Sequence, residues 1–261
     1  MNTNLSHADI KELKEAKQIL ENPGLAAVIM NYFGKPLEKG FERLPEDVNS
    51  KIGKITQAAL LKAAEGAIFT MKKEPGTQSW NKLHKLGAFA SGGVGGFFGL
   101  VALPIELPIS TGIILRSIAE TARAQGESIS DQETKLACLT VLALGGPSKE
   151  DNATESGYYT VRTVLAQSVS AASKHMLTKG LAEDGAPVLI KLLTNIAQRF
   201  SIQVSEKVAA QAIPLVGAAG GALINTLFMD HFQDMAKGHF IVRKLERKYG
   251  SEVIQREYEQ I

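Results

Sequence analysis

Two groups of charged and polar side chains lie close enough together in the sequence to share chemistry. The first contains Glu106, which stands between two prolines in an apolar stretch, and Arg116, which follows isoleucine and leucine. Glu120 comes four residues after Arg116, and Arg123 three residues after Glu120, so one helical face would hold all three. An ionised carboxylate among apolar neighbours is costly unless it is paired or hydrated, and Glu106 therefore needs a partner.

This first group is open to two interpretations. In the functional one, Glu106 is a buried acid with a shifted pKa, or Arg116 forms the base of an anion site. In the structural one, an ion pair locks the proline-rich turn around Glu106 onto the helix that follows. We favour the structural interpretation.

The second group consists of six polar side chains near the C-terminus: Asn225, Asp230, His231, Asp234, His239 and Arg243. Aspartate and histidine three or four residues apart share a helical face and could hold a divalent metal. The His-Glu-x-x-His spacing of zinc proteases is absent, however, and we expect no metal. Helix capping, surface pairing or subunit contact is the favoured interpretation, and for Asn225 a hydrogen bond between helices.

Other signatures of chemistry fail. Phe98 occupies the position of the last glycine in a dinucleotide-binding loop, and neither a P-loop nor a Gly-x-Ser-x-Gly elbow is present. We therefore expect no cofactor, and an enzyme is the less favoured class. The single cysteine, Cys138, lies among apolar residues and is expected to be a buried thiol.

Composition restricts the class of protein further. The 261 residues are 44% hydrophobic and 21% charged, as in an ordinary globular protein. A net charge of +2 is too small for a nucleic-acid-binding surface. The first residues contain no apolar signal-peptide core, which favours a cytoplasmic location.

The elements that must position these residues are predicted to be helices. Apolar residues recur at helical spacing throughout, and strand-type alternation is scarce. Ser6 with Asp9, and Ser130 with Glu133, resemble helix-capping pairs. The predicted helices cover approximately residues 8–21, 51–73, 80–98, 109–124, 130–144, 158–179, 186–212 and 214–248, with a short helix after Gly250. Pro104 and Pro108 interrupt the chain between the third and the fourth. We predict an all-α fold, a single domain of roughly eight to ten helices.

Two uncharged stretches, residues 86–105 and 208–229, are each long enough to span a membrane. Glycine and alanine dominate both, which makes transfer into lipid only weakly favourable. Gly92 and Gly96, like Gly217 and Gly221, are spaced for close approach of helix backbones. We therefore predict two Gly-rich, apolar central helices, buried in the core or apposed to a membrane, in preference to membrane insertion.

Three segments resemble the EcsC protein family: residues 84–146, the motif Gly157-Tyr158-Tyr159-x-x-Arg162, and residues 199–250. The family takes its name from a gene beside a bacterial ABC-type exporter. The resemblance covers about residues 80–258 and implies a bacterial protein that is cytoplasmic or membrane-associated. It supplies no catalytic residues.

Residues 1–79 are therefore predicted to form a helical extension packed on an EcsC-like core, residues 80–258. The favoured function is that of a non-enzymatic helical protein at the cytoplasmic face of the membrane, or in support of an ABC-type exporter. Trp80, Lys82, Lys85 and Phe89 would suit such an interface. The alternatives are a soluble, self-associating scaffold, and an enzyme whose pocket contains Glu106, Arg116, His231 and His239; the enzyme requires these residues to converge on one cavity.

Overall fold

The computed structural model describes residues 5–21, 24–33, 46–64, 102–146, 157–179, 187–212 and 217–261. Every long regular element within these ranges is an α-helix, so the prediction of an all-α fold is confirmed. The described helices are α1 (His7–Leu20), α2 (Leu25–Phe33), α3 (Glu46–Ala63), α4 (Leu103–Ala124), α5 (Gln132–Val141), α6 (Gly157–Lys179), α7 (Pro187–Gln211), α8 (Gly217–Tyr249) and α9 (Ser251–Gln260).

Local sequence explains where several of these helices begin. The hydroxyl of Ser6 accepts a hydrogen bond from the Asp9 amide and caps α1, as predicted. The predicted cap at Ser130 is wrong, because α5 begins one residue later than that cap requires, at Gln132, with Asp131 as its N-cap. The Ser130 hydroxyl instead lies 2.8 Å from that of Ser128.

Helix α4 begins earlier than the sequence predicts. Pro104 and Pro108 do not interrupt it, since the helix runs unbroken from Leu103. Pro104 lies in the first turn, where a missing amide hydrogen costs nothing. Pro108 removes only the bond to the carbonyl of residue 104, and the burial of Leu107 and Leu115 on the same helix offsets that loss.

Helix α8 is the centre of the molecule. It packs against α1, α2, α4, α5, α7 and α9, while α3 packs against α4 and α7, and α6 against α5 and α7. The rings of Phe200, Phe228 and Phe232 form the aromatic contact between α7 and α8, with centroids 5.1–6.1 Å apart. One buried apolar cluster contains side chains from all of these helices, including α1 to α3.

The two Gly-rich helices are not confirmed. Residues 86–101 of the first stretch, with Gly92 and Gly96, lie outside the described residues, as does the predicted interface around Trp80. The second stretch is not one helix, because it is divided between the end of α7 and the start of α8. Within the ranges given above, none of the helices is long and apolar enough to cross a membrane.

Helix α1 lies antiparallel along α8. Three ion pairs follow this seam, Asp9–Lys248 at 2.8 Å, Glu12–Lys244 at 2.5 Å and Glu15–Lys237 at 2.6 Å. Between them α8 carries Gly238, where a Cβ atom would lie only 2.6 Å from Leu20 Cγ and 3.2 Å from the Ala16 carbonyl oxygen. The backbones approach this closely only because residue 238 has no side chain.

Candidate functional site

The structure separates the residues that the sequence singled out. On α4, Glu106 is buried and Arg116 is exposed, about 80° apart around an ideal helix. His231 packs against the turn after α5, and Asn225 contacts α7. His239 and Arg243 are the two that share a cavity.

Glu106 forms a buried ion pair, but its partner is distant in sequence. Lys207 of α7 places Nζ 2.5 Å from Glu106 Oε1, and the two side chains are 1% and 7% exposed. The same ammonium lies 5.1 Å from the ring centroid of Phe228. The pair locks α4 onto α7. The sequence around Lys207 does not single it out, because Ser205 and Glu206 precede it and the apolar run begins only at Val208.

The neighbouring carboxylate, Glu206, is also buried. Burial raises the pKa of Glu206 to about 7, although a hydrogen bond from the backbone amide of Ala26 partly opposes the effect. Oε2 of this carboxylate has no hydrogen-bond partner in the described part of the chain. Glu206 is therefore a buried acid with a raised pKa. The sequence analysis did not identify it and singled out Glu106 instead.

Arg116 lies on the exposed face of α4, away from Glu106. Within the described ranges it forms no ion pair with Glu106 or Glu120. The exposed face also carries Ile105, 73% exposed, Ile109, 55% exposed, and Arg123. Residues 105, 109, 116 and 123 fall within about 40° of one another around an ideal helix. We call these four residues the α4 surface stripe; its first half is apolar and its second half basic.

His231 holds the turn that follows α5. A ring nitrogen hydrogen-bonds the backbone of Leu144, and burial lowers the pKa of His231 to about 4, so the ring is neutral at pH 7. A Cβ atom on Gly145 would lie 2.6 Å from the Cε1 atom of this ring. The histidine therefore fills space against a glycine turn.

The interhelical hydrogen bond predicted for Asn225 is confirmed. Gln211 Nε2 donates to Asn225 Oδ1 at 3.3 Å and joins α7 to α8. In the part of the chain that the structure describes, no group of three or more histidine, cysteine, aspartate or glutamate side chains is arranged to hold a metal ion.

His239 and Arg243 line a cavity of about 600 Å³ between α5, α6 and α8. Its volume falls within the range of small-molecule sites. The wall from α6 includes Arg162 and Lys174, and the wall from α5 includes Glu133. The remaining lining side chains are apolar or carry a hydroxyl: Ala137, Thr140, Leu165, Ala166, Val169, Ser170 and Ser173.

A hydrogen-bonded network fixes one wall of the cavity. The Tyr158 hydroxyl lies 2.9 Å from His239 Nδ1, and Arg162 Nη1 donates to the same hydroxyl oxygen at 3.3 Å. Arg162 also makes a bidentate pair with Glu246, at 2.6 and 3.0 Å. The rings of Tyr159 and Tyr258 pack around Tyr158, with centroids 5.0 and 5.6 Å from it. Each polar side chain in this wall therefore has one fixed orientation.

Arg243, on the other part of the cavity wall, is held by the carboxylates of Glu127 and Glu133. Its Nε atom donates to Glu127 Oε1 at 3.0 Å, and its Nη2 atom lies 3.4 Å from Glu133 Oε1. Burial alone would raise the pKa of Glu127, but hydrogen bonding and charge from Arg243, aided by Thr134 and Arg247, hold it below its usual range. Glu127 therefore stays ionised and anchors the arginine.

Sequence reasoning found only part of this cavity. It selected His239 and Arg243 from their types and spacing, whereas Tyr158 and Arg162 entered only through the family resemblance. Glu127 and Glu246 were missed, because nothing local marks a glutamate whose partner lies on another helix.

The fold and this cavity define an all-helical protein with a polar pocket lined by arginine and histidine. The chain belongs to the EcsC protein family, whose model matches residues 7–245. The resemblance stated from sequence is confirmed, and the match extends towards the N-terminus to include α1 to α3. No curated protein and no solved structure matches the chain.

Proposed function

We propose that this EcsC protein is a non-enzymatic helical protein that docks on the cytoplasmic face of the cell membrane through the α4 surface stripe. The observation that carries the proposal is the exposure of Ile105 and Ile109 on the same helical face as Arg116 and Arg123. Docked in this way, the protein would lie beside membrane transporters, and the family resemblance adds an ABC-type exporter as a candidate partner.

The stripe has the chemistry of an interfacial helix. Removing an isoleucine side chain from water contributes roughly 1.5–3 kcal/mol, so Ile105 and Ile109 would gain from contact with acyl chains. An arginine near an anionic membrane surface contributes about 1 kcal/mol. Arg116 and Arg123 lie further along the same face, where they would meet phosphate headgroups while the isoleucines reach deeper.

The buried ion pair keeps the apolar end of α4 in place. Glu106 lies next to Ile105 in sequence but faces the interior, where it is bound to Lys207. The pair resists rotation of α4, because turning Ile105 inwards would expel Glu106 and break the pair. The isoleucines are therefore held at the surface at some cost to stability in water, as expected for a functional contact.

Lipid is favoured over a second copy of the chain as the occupant of this surface. The residues before α4, 86–102, are uncharged, and Lys82 and Lys85 precede them. An apolar run with basic residues on both sides, including Arg116 beyond it, suits an anionic bilayer surface. A self-complementary protein contact would instead require acidic residues opposite the arginines.

Vesicle flotation tests the proposal. The full chain should float with vesicles of phosphatidylglycerol and phosphatidylethanolamine, and much less with phosphatidylcholine alone. The double variant Ile105→Ser, Ile109→Ser should lose at least tenfold in vesicle affinity, since burial of the exposed parts of the two isoleucines together contributes more than about 1.4 kcal/mol.

The matched control is Ile190→Ser, Ile202→Ser on α7, two isoleucines that are 40% and 36% exposed. This control should float like the wild type. If the wild type does not bind anionic vesicles, or if both double variants bind equally, the proposal is wrong. Light scattering in the absence of lipid measures the oligomeric state and so tests the alternative of a self-associating scaffold. If the wild type and the α7 control are dimers and the α4 double variant is a monomer, the stripe is assigned to self-association instead.

A further inference from the structure

One residue that lines the cavity between α5, α6 and α8 has a buried nitrogen with no hydrogen-bond partner in the described part of the chain. His239 is 2% exposed and lines the cavity. Its Nδ1 atom is bound to Tyr158, but its Nε2 atom meets no hydrogen-bonding group among the described residues. A buried unpaired polar atom costs free energy unless something else satisfies it, so it points to a ligand.

The network behind His239 favours one of the two neutral tautomers of the ring. Arg162 can only donate, so Tyr158 must accept from it and is free to use its single hydrogen elsewhere. The acceptor that the described residues offer this hydrogen is His239 Nδ1, so the network favours the tautomer in which Nδ1 accepts. Burial, reinforced by the charges of Arg162 and Arg243, holds the pKa of His239 well below its usual range, so the ring is neutral. The remaining proton lies on Nε2, which is therefore a donor.

Among the described residues that line the cavity, Arg162, Arg243 and Lys174 are cationic and Glu133 is acidic. Glu246 and Glu127 behind the wall offset much of the charge of the two arginines, but a guanidinium has five N–H donors and can donate to an anion as well as to its carboxylate partner. Carboxylates behind the wall already hold both arginines, so the guanidinium groups have fixed positions before any ligand enters. Leu165 and Val169 give the α6 wall an apolar part.

We propose that this cavity binds a small organic anion. A carboxylate or phosphate oxygen of the ligand accepts the hydrogen of His239 Nε2, close to the cationic side chains of Arg243 and Lys174. The apolar portion of the ligand packs against Leu165 and Val169. The ligand enters from the α6 side, where Ala166, Ser170 and Lys174 are exposed. This site is independent of membrane docking by α4.

Three probes of equal chain length test the chemistry: hexanoate, hexyl phosphate and neutral hexanol. Isothermal titration of the full chain should detect binding of the two anions and at least tenfold weaker binding of hexanol. Long-range ¹⁵N–¹H spectra should show His239 as the Nε2–H tautomer, and the anions should shift its Nε2 resonance. A shift with phosphatidylglycerol vesicles but not with hexyl phosphate would identify the oxyanion as a lipid headgroup rather than a free solute.

A matched pair of variants on α6 shows whether binding occurs in the cavity. Ala166→Phe fills its mouth without touching the polar network and should abolish anion binding. Gln167→Phe places the same side chain on the exposed neighbour, which does not line the cavity, and should bind like the wild type. The proposal is overturned if His239 is the Nδ1–H tautomer, if neither an anionic probe nor the vesicles shift its Nε2 resonance, or if the two variants bind alike.

Discussion

Lys207 is nearly fully buried and yet charged, because two partners compensate for its loss of water. The carboxylate of Glu106 supplies the opposite charge at 2.5 Å, and the face of Phe228 lies 5.1 Å from the ammonium. Such a pair adds little net stability compared with apolar residues of the same size. Breaking it is costly, however, because one buried charge is left alone.

Substitution of Lys207 should therefore be more harmful than removal of the whole pair. We expect Lys207→Met to lower the free energy of unfolding by about 3–5 kcal/mol, because it leaves Glu106 buried without a counter-charge. The double variant Lys207→Met, Glu106→Gln should recover much of that loss. Urea denaturation of the three proteins measures both effects.

The control for this experiment is an exposed pair at helical spacing, Lys51 and Asp47, which lie 3.6 Å apart with both side chains about two-thirds exposed. Lys51→Ala should change stability by no more than about 0.5 kcal/mol. A loss of under about 1 kcal/mol for Lys207→Met would show that Glu106 is stabilised in some other way.

Among the elements, the turn after α5 shows how one residue without a side chain positions two helices. Gly145 has φ +72°, a conformation that residues with a Cβ atom rarely adopt. It leaves room for His231 and Met235 of α8, which would lie 2.6–2.7 Å from a Cβ atom at this position. The same turn offers the Leu144 carbonyl to Gln203 of α7 at 2.9 Å. The turn therefore fixes α5 relative to α7 and α8.

We expect Gly145→Ala to destabilise the protein by roughly 2–4 kcal/mol, from backbone strain together with overpacking against His231. Gly112→Ala provides the comparison, because Gly112 lies inside α4 with open space around it. That variant should gain about 0.5–1 kcal/mol from higher helix propensity. Thermal unfolding of both variants should show shifts of opposite sign; equal shifts would mean that the turn tolerates a Cβ atom.

At the scale of the whole molecule, α8 joins α1 to the rest of the core. The α1–α8 seam depends on the absence of a side chain at Gly238 and on the charge pairs beside it. These pairs are partly exposed and are screened by salt, so the close backbone contact is the stronger determinant.

Gly238→Leu should release α1 without unfolding the molecule. The new side chain would meet Leu20 and the backbone of Ala16, and the Ala16 carbonyl can move away only if α1 moves with it. We expect amide exchange in residues 7–20 to accelerate at least about tenfold, with α5 and α6 still protected. Gly53→Leu on α3, where the added Cβ atom would meet nothing within 4 Å, should leave the exchange of α1 unchanged. Uniform acceleration across all helices would contradict this model of the seam.

The sequence by itself determined the class of fold, most helix positions and the family. Apolar spacing, prolines and glycines are local signals, and they were sufficient to predict helices such as α6 and α7 with small errors at their ends. Local signals also marked Glu106 as a residue that needs a partner, and selected His239 and Arg243. They failed at Pro104 and Pro108, where packing of the rest of α4 outweighs an unfavourable local preference.

Only the tertiary structure decided which of these residues act together. The partner of Glu106 lies 101 residues away, and His239 is 81 residues from Tyr158. No local pattern encodes such pairings, because they depend on how separate helices cross. The same crossings left Arg116 at the surface and enclosed the cavity around His239, so the division between a surface stripe and a polar pocket arises from the packing of helices around α8.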